Sequence, residues 1–415
     1  MIIIHAVKTA PILPRLLSGP ISTALRTDPV VVVTGARQTG KSTLARSLLA
    51  GPERSYLTLD DLDVRADAES SPDDLVRRAA RLTLDEVQRS PSLLLAVKRA
   101  VDERRMPGRF LLTGSANLLL LRRVSETLAG RASYFTLWPL TRRERLGLGR
   151  AGLWQELFDT ADHKWPDLLR AQDVEASDWR AHARAGGYPV PAYELEDAAT
   201  RNRWFAGFAT TYLERDLQDL SAVQSVIDFR RLMRAACLRL GNLVNQTELG
   251  RDVGLSQPTV HRYLNLLEVS YQLVRLPAYS VNRTKRLIKT PKLYWSDTAL
   301  AMHLAGETSP RGVHLENLVL SDLLAWRGAS VEAPEILYWR TATGEEVDFV
   351  IEWRGELLPI EIKTKARPST ADARHLKSFR EQYPDLVRWG LVLHTGEEVA
   401  RLADGVVAAP WWMVI

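Results

Sequence analysis

The stretch Gly35-Ala36-Arg37-Gln38-Thr39-Gly40-Lys41-Ser42 has the residue types and spacing to capture an anion. Gly35 and Gly40 admit backbone angles closed to other residues, so the N–H groups of the loop through Thr43 can turn inward around a phosphate. Lys41 supplies a cation for β- and γ-phosphate oxygens, and Ser42 a hydroxyl ligand for Mg²⁺. The flanks give this spacing its meaning. Val31-Val32-Val33-Thr34 reads as a strand, and Thr43 to Leu49 carries helical spacing. Strand, glycine-framed loop and helix is the context that the pattern G-x-x-x-x-G-K-[ST] requires. The helix N-terminus adds its positive dipole end.

Carboxylates follow at the right remove. Leu82-Thr83-Leu84-Asp85-Glu86 reads as a strand with two acids at its C-terminal end, where strands of a parallel sheet converge on a ligand. Asp85 is expected in the Mg²⁺ shell and Glu86 beside the attacking water. The strand from Arg109 ends in Thr113, Gly114 and Ser115. Thr113 and Ser115 offer hydroxyls to a γ-phosphate, or else cap the next helix. Arg131 follows a small-residue turn. It is either an arginine finger for a neighbouring subunit or an ordinary surface arginine.

Two further constellations lie downstream. Asn245 to Glu268 reads as helix, glycine turn at Gly254 and a second helix capped by Ser256, the helix-turn-helix plan. Gln257, Thr259, His261 and Arg262 would face a DNA groove. Arg275, Arg283, Lys285, Arg286, Lys289 and Lys292 follow with no intervening acid. Such a run suits phosphates or a solvated loop. Near the end, Leu357 to Lys365 alternates, with Ile360 and Ile362 on one face and Glu361, Lys363 and Lys365 on the other. Glu345 to Ile351 is expected to pair with the strand Ile336 to Arg340 across Thr343-Gly344. Asp348 and Glu361 then sit on neighbouring strands, able to share one Mg²⁺, with Lys363 beside an attacked phosphate. Glu316 precedes them on a helix. The competing reading is an edge strand charged for solubility.

These groups need a scaffold of several parts. The 415 residues suggest two or three domains. Residues 1–150 read as a P-loop unit and 151–202 as a helical connector. Residues 203–280 read as a winged-helix-like unit and 281–415 as a last α/β domain that begins at the strand Lys292 to Asp297. Gly186-Gly187-Tyr188-Pro189 reads as a break and a hinge or domain boundary. Trp154, Trp165 and Trp179 read as packing residues. A hydrophobic content of 46% with 25% charged residues is ordinary for a globular chain. The single cysteine, Cys237, rules out an internal disulfide. No apolar run approaches the ~20 residues of a membrane helix, and Met1 to His5 is too short for a signal peptide. A cytoplasmic protein with no membrane anchor is expected. The net charge of +5 is compatible with nucleic acid.

The phrases Gly35 to Ser42, Asp85-Glu86-Val87-Gln88-Arg89-Ser90-Pro91, Leu112-Thr113-Gly114-Ser115-Ala116, Leu128-Ala129-Gly130-Arg131, Gly186-Gly187-Tyr188-Pro189 and Tyr212-Leu213-Glu214-Arg215-Asp216 occur in this order. In them the chain resembles bacterial and archaeal AAA-type ATPases (AAA_14) with a C-terminal domain of unknown function, DUF4143. Ala36 departs from the family's usual proline. The resemblance implies an AAA/ASCE-type parallel sheet, ATP binding and hydrolysis with Mg²⁺, and a winged-helix-like middle. The order Glu316, Asp348, Glu361, Lys363 resembles the PD-(D/E)xK nuclease superfamily, with Val347 where proline often stands. That resemblance implies a restriction-endonuclease-like α/β domain that binds or cleaves DNA. The leading expectation is a homo-oligomeric ATPase acting on DNA. The alternative is a slow nucleotide-dependent switch that recruits a protein partner.

Overall fold

A computed structural model describes residues 12–49, 53–115, 128–211 and 225–415. Tyr212 to Asp216, Ala116 and the N-terminal Met1 to His5 lie outside the described residues.

The first unit is a five-stranded sheet of β1 (Val30–Thr34), β2 (Arg54–Thr58), β3 (Arg81–Asp85), β4 (Phe110–Thr113) and β5 (Ala132–Thr136), in the order β2-β3-β4-β1-β5. All its pairings are parallel. The valine run of β1 is buried on both faces, as a central parallel strand must be. Val30 and Val32 pack with Leu82, Leu84 and the helix Leu93–Glu103. Val31 and Val33 pack on the other face with Ile21 and Leu44. Thr83, an interruption in the sequence pattern, is fully buried in β3. The C-terminal ends of β1, β3 and β4 are thus fixed side by side.

A second, larger core runs from Leu153 to Ile415. It joins the connector, the helical middle and the last sheet, and it contains Trp154, Trp165 and Trp179. The helix-turn-helix forms at the expected residues, but the Ser256 side chain makes no capping hydrogen bond and meets the Thr259 hydroxyl instead. Asn245 caps Gln246–Val253, Gly254 closes it at φ +73°, and Ser256 precedes Gln257–Val269. One expectation is corrected here. Lys292–Trp295 (β7) does not enter the last sheet. It pairs antiparallel with Leu273–Leu276 (β6), which closes a wing-like ribbon beside the second helix.

The last sheet has the order β12-β13-β11-β10-β9-β8. Its strands are β8 (Glu335–Arg340), β9 (Glu346–Trp353), β10 (Glu356–Lys363), β11 (Gly390–His394), β12 (Ala400–Ala403) and β13 (Val406–Pro410). β8, β9 and β10 form an antiparallel meander, and β10, β11 and β13 run parallel. The helix Gly312–Ala329 covers the face that shares the large core.

The expected hinge at Gly186 is a buried joint instead. Gly187 N–H donates to Asp297 Oδ2 at 2.5 Å, and Gly187 O accepts from Leu140 N–H at 2.6 Å. A Cβ on Gly186 would stand 2.6 Å from Asp297 Oδ2, and the backbone there has φ +70°. Glycine is needed because the carboxylate approaches so closely.

Candidate nucleotide site and the charged cluster of the last sheet

The P-loop leaves β1 at Thr34 and turns under Leu137. A Cβ on Gly35 would meet Leu137 O at 2.3 Å, and Gly40 has φ +92°. Arg15 braces the loop from outside. Its guanidinium donates to Thr39 O at 2.7 Å, to Trp138 O at 2.7 Å and to Glu144 Oε1 at 3.0 Å. Thr34 Oγ1 lies 2.8 Å from the hydroxyl of Tyr271, which sits between the second helix and β6. Lys41 is buried, and its Nζ donates to the carbonyls of Ala36 at 2.7 Å and Gly35 at 3.2 Å. Burial lowers its pKa to about 8, against the pull of Glu86 and Asp85. The helix from Lys41 is α-helical over Lys41–Thr43 and then widens into a π-turn over Leu44–Leu48.

The acids of β3 stand across from the loop. Tyr56 donates its hydroxyl proton to Asp85 Oδ2 at 2.6 Å, and Thr113 donates to Asp85 Oδ1. Glu86 holds a left-handed backbone at φ +57°, a strained conformation that clusters at functional sites. Gln88 Nε2 donates both to Glu86 and, at 2.8 Å, to Ser115 Oγ. Burial raises the Glu86 pKa, with Lys41 opposing. Ser42 and Asp85 offer hard oxygen donors, and two hydroxyls fix the Asp85 carboxylate. That set fits Mg²⁺.

Tyr56, Gln88, Arg15 and Tyr271 carried no role in the sequence reading. Only Gln88 left a local signal, two residues after Glu86. Thr113 is fully buried against Asp85, so of the two expected γ-phosphate contacts only Ser115 stays partly open. Arg131 lies just before β5, at the sheet edge opposite Lys41, and its Nε donates to Asp102 at 2.6 Å.

In the last sheet β9 and β10 are neighbours, with Phe349 opposite Ile360. Asp348 and Glu361 therefore come together as the alternation requires. Ile362 N–H donates to Asp348 Oδ2 at 2.9 Å, and Lys363 Nζ to Glu361 Oε1 at 2.5 Å. Glu316 joins through Tyr294, whose hydroxyl donates to it at 2.9 Å. Lys292 enters from β7. It pairs with Glu346 and lies 3.8 Å from Asp348. Burial opposes its charge, and Asp348, Glu316 and Glu346 overcome that, holding it above the usual range.

Two ammonium groups, those of Lys292 and Lys363, stand among these carboxylates. Among the described residues no group of three or more His, Cys, Asp or Glu is arranged for a metal.

Burial and the Asp348 carboxylate push Glu361 up to about 8 and Glu316 to about 7. Glu361 Oε2 is buried without a hydrogen-bond partner. Its contribution to stability is full below its unfolded pKa of ~4.3 and is lost as pH rises to about 8. Melting of the full chain should therefore fall between pH 5 and 8. Glu361→Gln should flatten that fall and raise Tm at pH 8.5 by roughly 2–4 °C. An unchanged slope in the variant would refute this account.

The basic run is also corrected. Acids distant in sequence neutralise most of it. Arg275 pairs with Glu268 at 3.2 Å and Arg283 with Glu352 at 3.1 Å. Arg286 is buried between Glu335 at 2.6 Å and Glu352 at 2.5 Å, so it does not face a ligand. Lys285 and Lys289 remain exposed. On the second helix Gln257 and His261 are exposed, and both reach Gln246. Thr259 is half-buried beside Ser256, and the Arg262 guanidinium lies over the ring of Tyr263.

A parallel sheet in this order, with a P-loop on β1 and acids ending β3, defines a P-loop ATPase domain. Residues 27–146 match the family model "AAA domain". Residues 176–311 match a domain of unknown function, DUF8612, and 311–414 another, DUF4143. The uncharacterized proteins Rv2008c of Mycobacterium tuberculosis and Mb2031c of Mycobacterium bovis are each 33% identical over 400 residues, covering 93% of this chain and 81% of theirs. The chain belongs to the family of these mycobacterial proteins, and it carries an AAA domain and a C-terminal DUF4143 domain. Among solved structures, the Walker-type ATPase PABY2304 of Pyrococcus abyssi aligns at TM-score 0.42 and 14% identity, over 71% of this chain and 99% of that one. Among the described residues no helix is long and apolar enough to cross a membrane.

Proposed function

We propose that the protein hydrolyses ATP and uses the turnover to act on DNA as a homo-oligomer. The observation that carries the reading is the meeting of Lys41, Asp85, Thr113 and Glu86 at adjacent strand ends. Lys41 exchanges its two carbonyl partners for β- and γ-phosphate oxygens. Ser42 and Asp85 would hold Mg²⁺, which would supply neutralisation of the phosphate charge. Glu86, with Gln88 and Ser115 beside it, orients the attacking water. Arg131 stands away from its own site, so a finger role places it at a neighbour's site in the assembly.

The helix-turn-helix, with Gln257 and His261 open and Lys285 and Lys289 nearby, supports DNA as the partner. The ammonium-filled cluster around Asp348 and Glu361 supports binding without cleavage for the last domain. The test is the ATPase rate with junction, duplex and single-stranded DNA across salt concentrations. Stimulation that falls steeply with salt is expected. Indifference to every nucleic acid would replace this reading with a switch that recruits a protein. Cleavage of DNA with Mg²⁺ or Mn²⁺, lost in Asp348→Ala, would overturn the non-cleaving assignment.

A further inference from the structure

We infer that Tyr271, in the turn after the helix-turn-helix, is a positioning residue of the nucleotide loop, and that it links a triphosphate in the loop to the order of the second helix. The inference rests on the reading of the P-loop as a triphosphate site. It goes beyond that reading because Tyr271 lies outside the residues that match the AAA domain, within the stretch that matches DUF8612.

The second helix, Gln257–Val269, stops at Ser270, and β6 starts at Leu273. Three residues, Ser270 to Gln272, join them. Gln272 is fully buried and held from two directions. Its backbone carbonyl accepts from Ser296 N–H at 2.9 Å, and its side-chain oxygen accepts from the Tyr188 hydroxyl at 3.3 Å. Tyr271 takes the left-handed backbone, at φ +58°. A non-glycine residue keeps that conformation only where its surroundings over-determine it. Here the P-loop unit holds the side chain. The Tyr271 ring meets Trp138 edge-on with centroids 5.8 Å apart, and its hydroxyl lies 2.8 Å from Thr34 Oγ1.

Both contacts end on the frame of the P-loop. Thr34 is the last residue of β1 and directly precedes Gly35. It is buried, and its hydroxyl also donates to Phe135 O at 3.4 Å, which leaves a lone pair for the Tyr271 proton. Trp138 follows Leu137, whose carbonyl leaves no room for a Cβ on Gly35. The Trp138 carbonyl accepts from Arg15, which also holds Thr39 O. The residues that hold Tyr271 thus also fix the loop. Phosphate gripped by the N–H groups of the loop stiffens Gly35 and, through the peptide bond, Thr34. The turn after the second helix is then kept in its left-handed form. A loop that loosens frees Tyr271 to leave that strained conformation, and the junction of the second helix with β6 relaxes. The Tyr271 backbone is the two-state element that both sites bias. Linkage is reciprocal, so a ligand that orders the second helix tightens ATP by the same factor.

Tyr271→Phe keeps the ring on Trp138 and removes only the hydroxyl. It is expected to weaken Mg·ATP about fivefold, as loss of one hydrogen bond allows. Its kcat should stay within about twofold of wild type, the pattern for an interaction that holds substrate and transition state equally. Thr34→Val should match it, the double variant should weaken ATP no further, and Thr34→Ser should keep wild-type affinity. In amide hydrogen exchange, saturating Mg·AMP-PNP should slow residues 257–276 about fivefold in wild type and leave them unchanged in Tyr271→Phe. A wild-type Kd in Tyr271→Phe, additive losses in the double variant, or protection of 257–276 that is absent in wild type or survives in Tyr271→Phe overturns the coupling and leaves the P-loop reading in place. Failure of wild type to bind Mg·ATP overturns the P-loop reading itself, and the coupling with it.

Discussion

Lys41→Ala is expected to weaken Mg·ATP by about 100-fold or more and to take turnover to background. A buried ammonium facing a triphosphate makes charge-assisted contacts worth roughly 1.5–3 kcal/mol each. In the free protein Lys41 satisfies its ammonium on the carbonyls of Gly35 and Ala36, so alanine leaves those two carbonyls without their side-chain donor. The pH dependence has a definite sign. Burial holds Lys41 at about 8, and a bound polyanion raises that value. ATP affinity should therefore be flat below pH 8 and fall as pH rises above it, by at most about tenfold per unit. Calorimetric titration from pH 6.5 to 9.5 reads both effects. Retention of tight binding in the variant would remove the P-loop from any role in the reaction.

Glu86→Gln should lower kcat by about 10²–10⁴, the range for loss of a positioned general base, while the Kd for ATP stays within about threefold. The side chain keeps its shape, and Gln88 keeps a neighbour to bond. What is lost is a carboxylate that burial has made a better proton acceptor. The strained φ of +57° at Glu86 aims the side chain away from the line of β3, whereas Asp85 stays with Tyr56 and Thr113. The two adjacent acids are separated by this turn into a held carboxylate and an open one. Single-turnover kinetics beside equilibrium binding separates the cases. An equal loss in Kd and kcat would make Glu86 a binding residue.

Legibility in the sequence followed distance along the chain. The P-loop could be read because strand, glycines, Lys41 and helix are contiguous, and backbone geometry is set by neighbours. The helix-turn-helix was equally local: Asn245 and Gly254 each act within a few residues as cap or turn. Alternation in β10 placed Glu361 with Lys363, and the short turn after β8 set the order of β8 and β9. The pairing of the basic run was not legible, for the opposite reason. No acid lies between Arg275 and Lys292 in sequence, but Glu268, Glu335, Glu346 and Glu352 reach it from other elements. Desolvation makes such pairing obligatory once Arg286 and Lys292 are buried.

By itself the sequence determined the nature of the engine: a phosphate-gripping loop, two acids at a strand end and a helix-turn-helix, each encoded by residues close enough to act on one backbone segment. Only the tertiary structure decided which groups serve them. It brought Tyr56 to Asp85, Arg15 to Thr39 and Tyr271 to Thr34. It also put Lys292 among the carboxylates of the last sheet. Those contacts join residues dozens to hundreds of positions apart. Their partners are chosen by packing and burial, and no local pattern of residues records that choice.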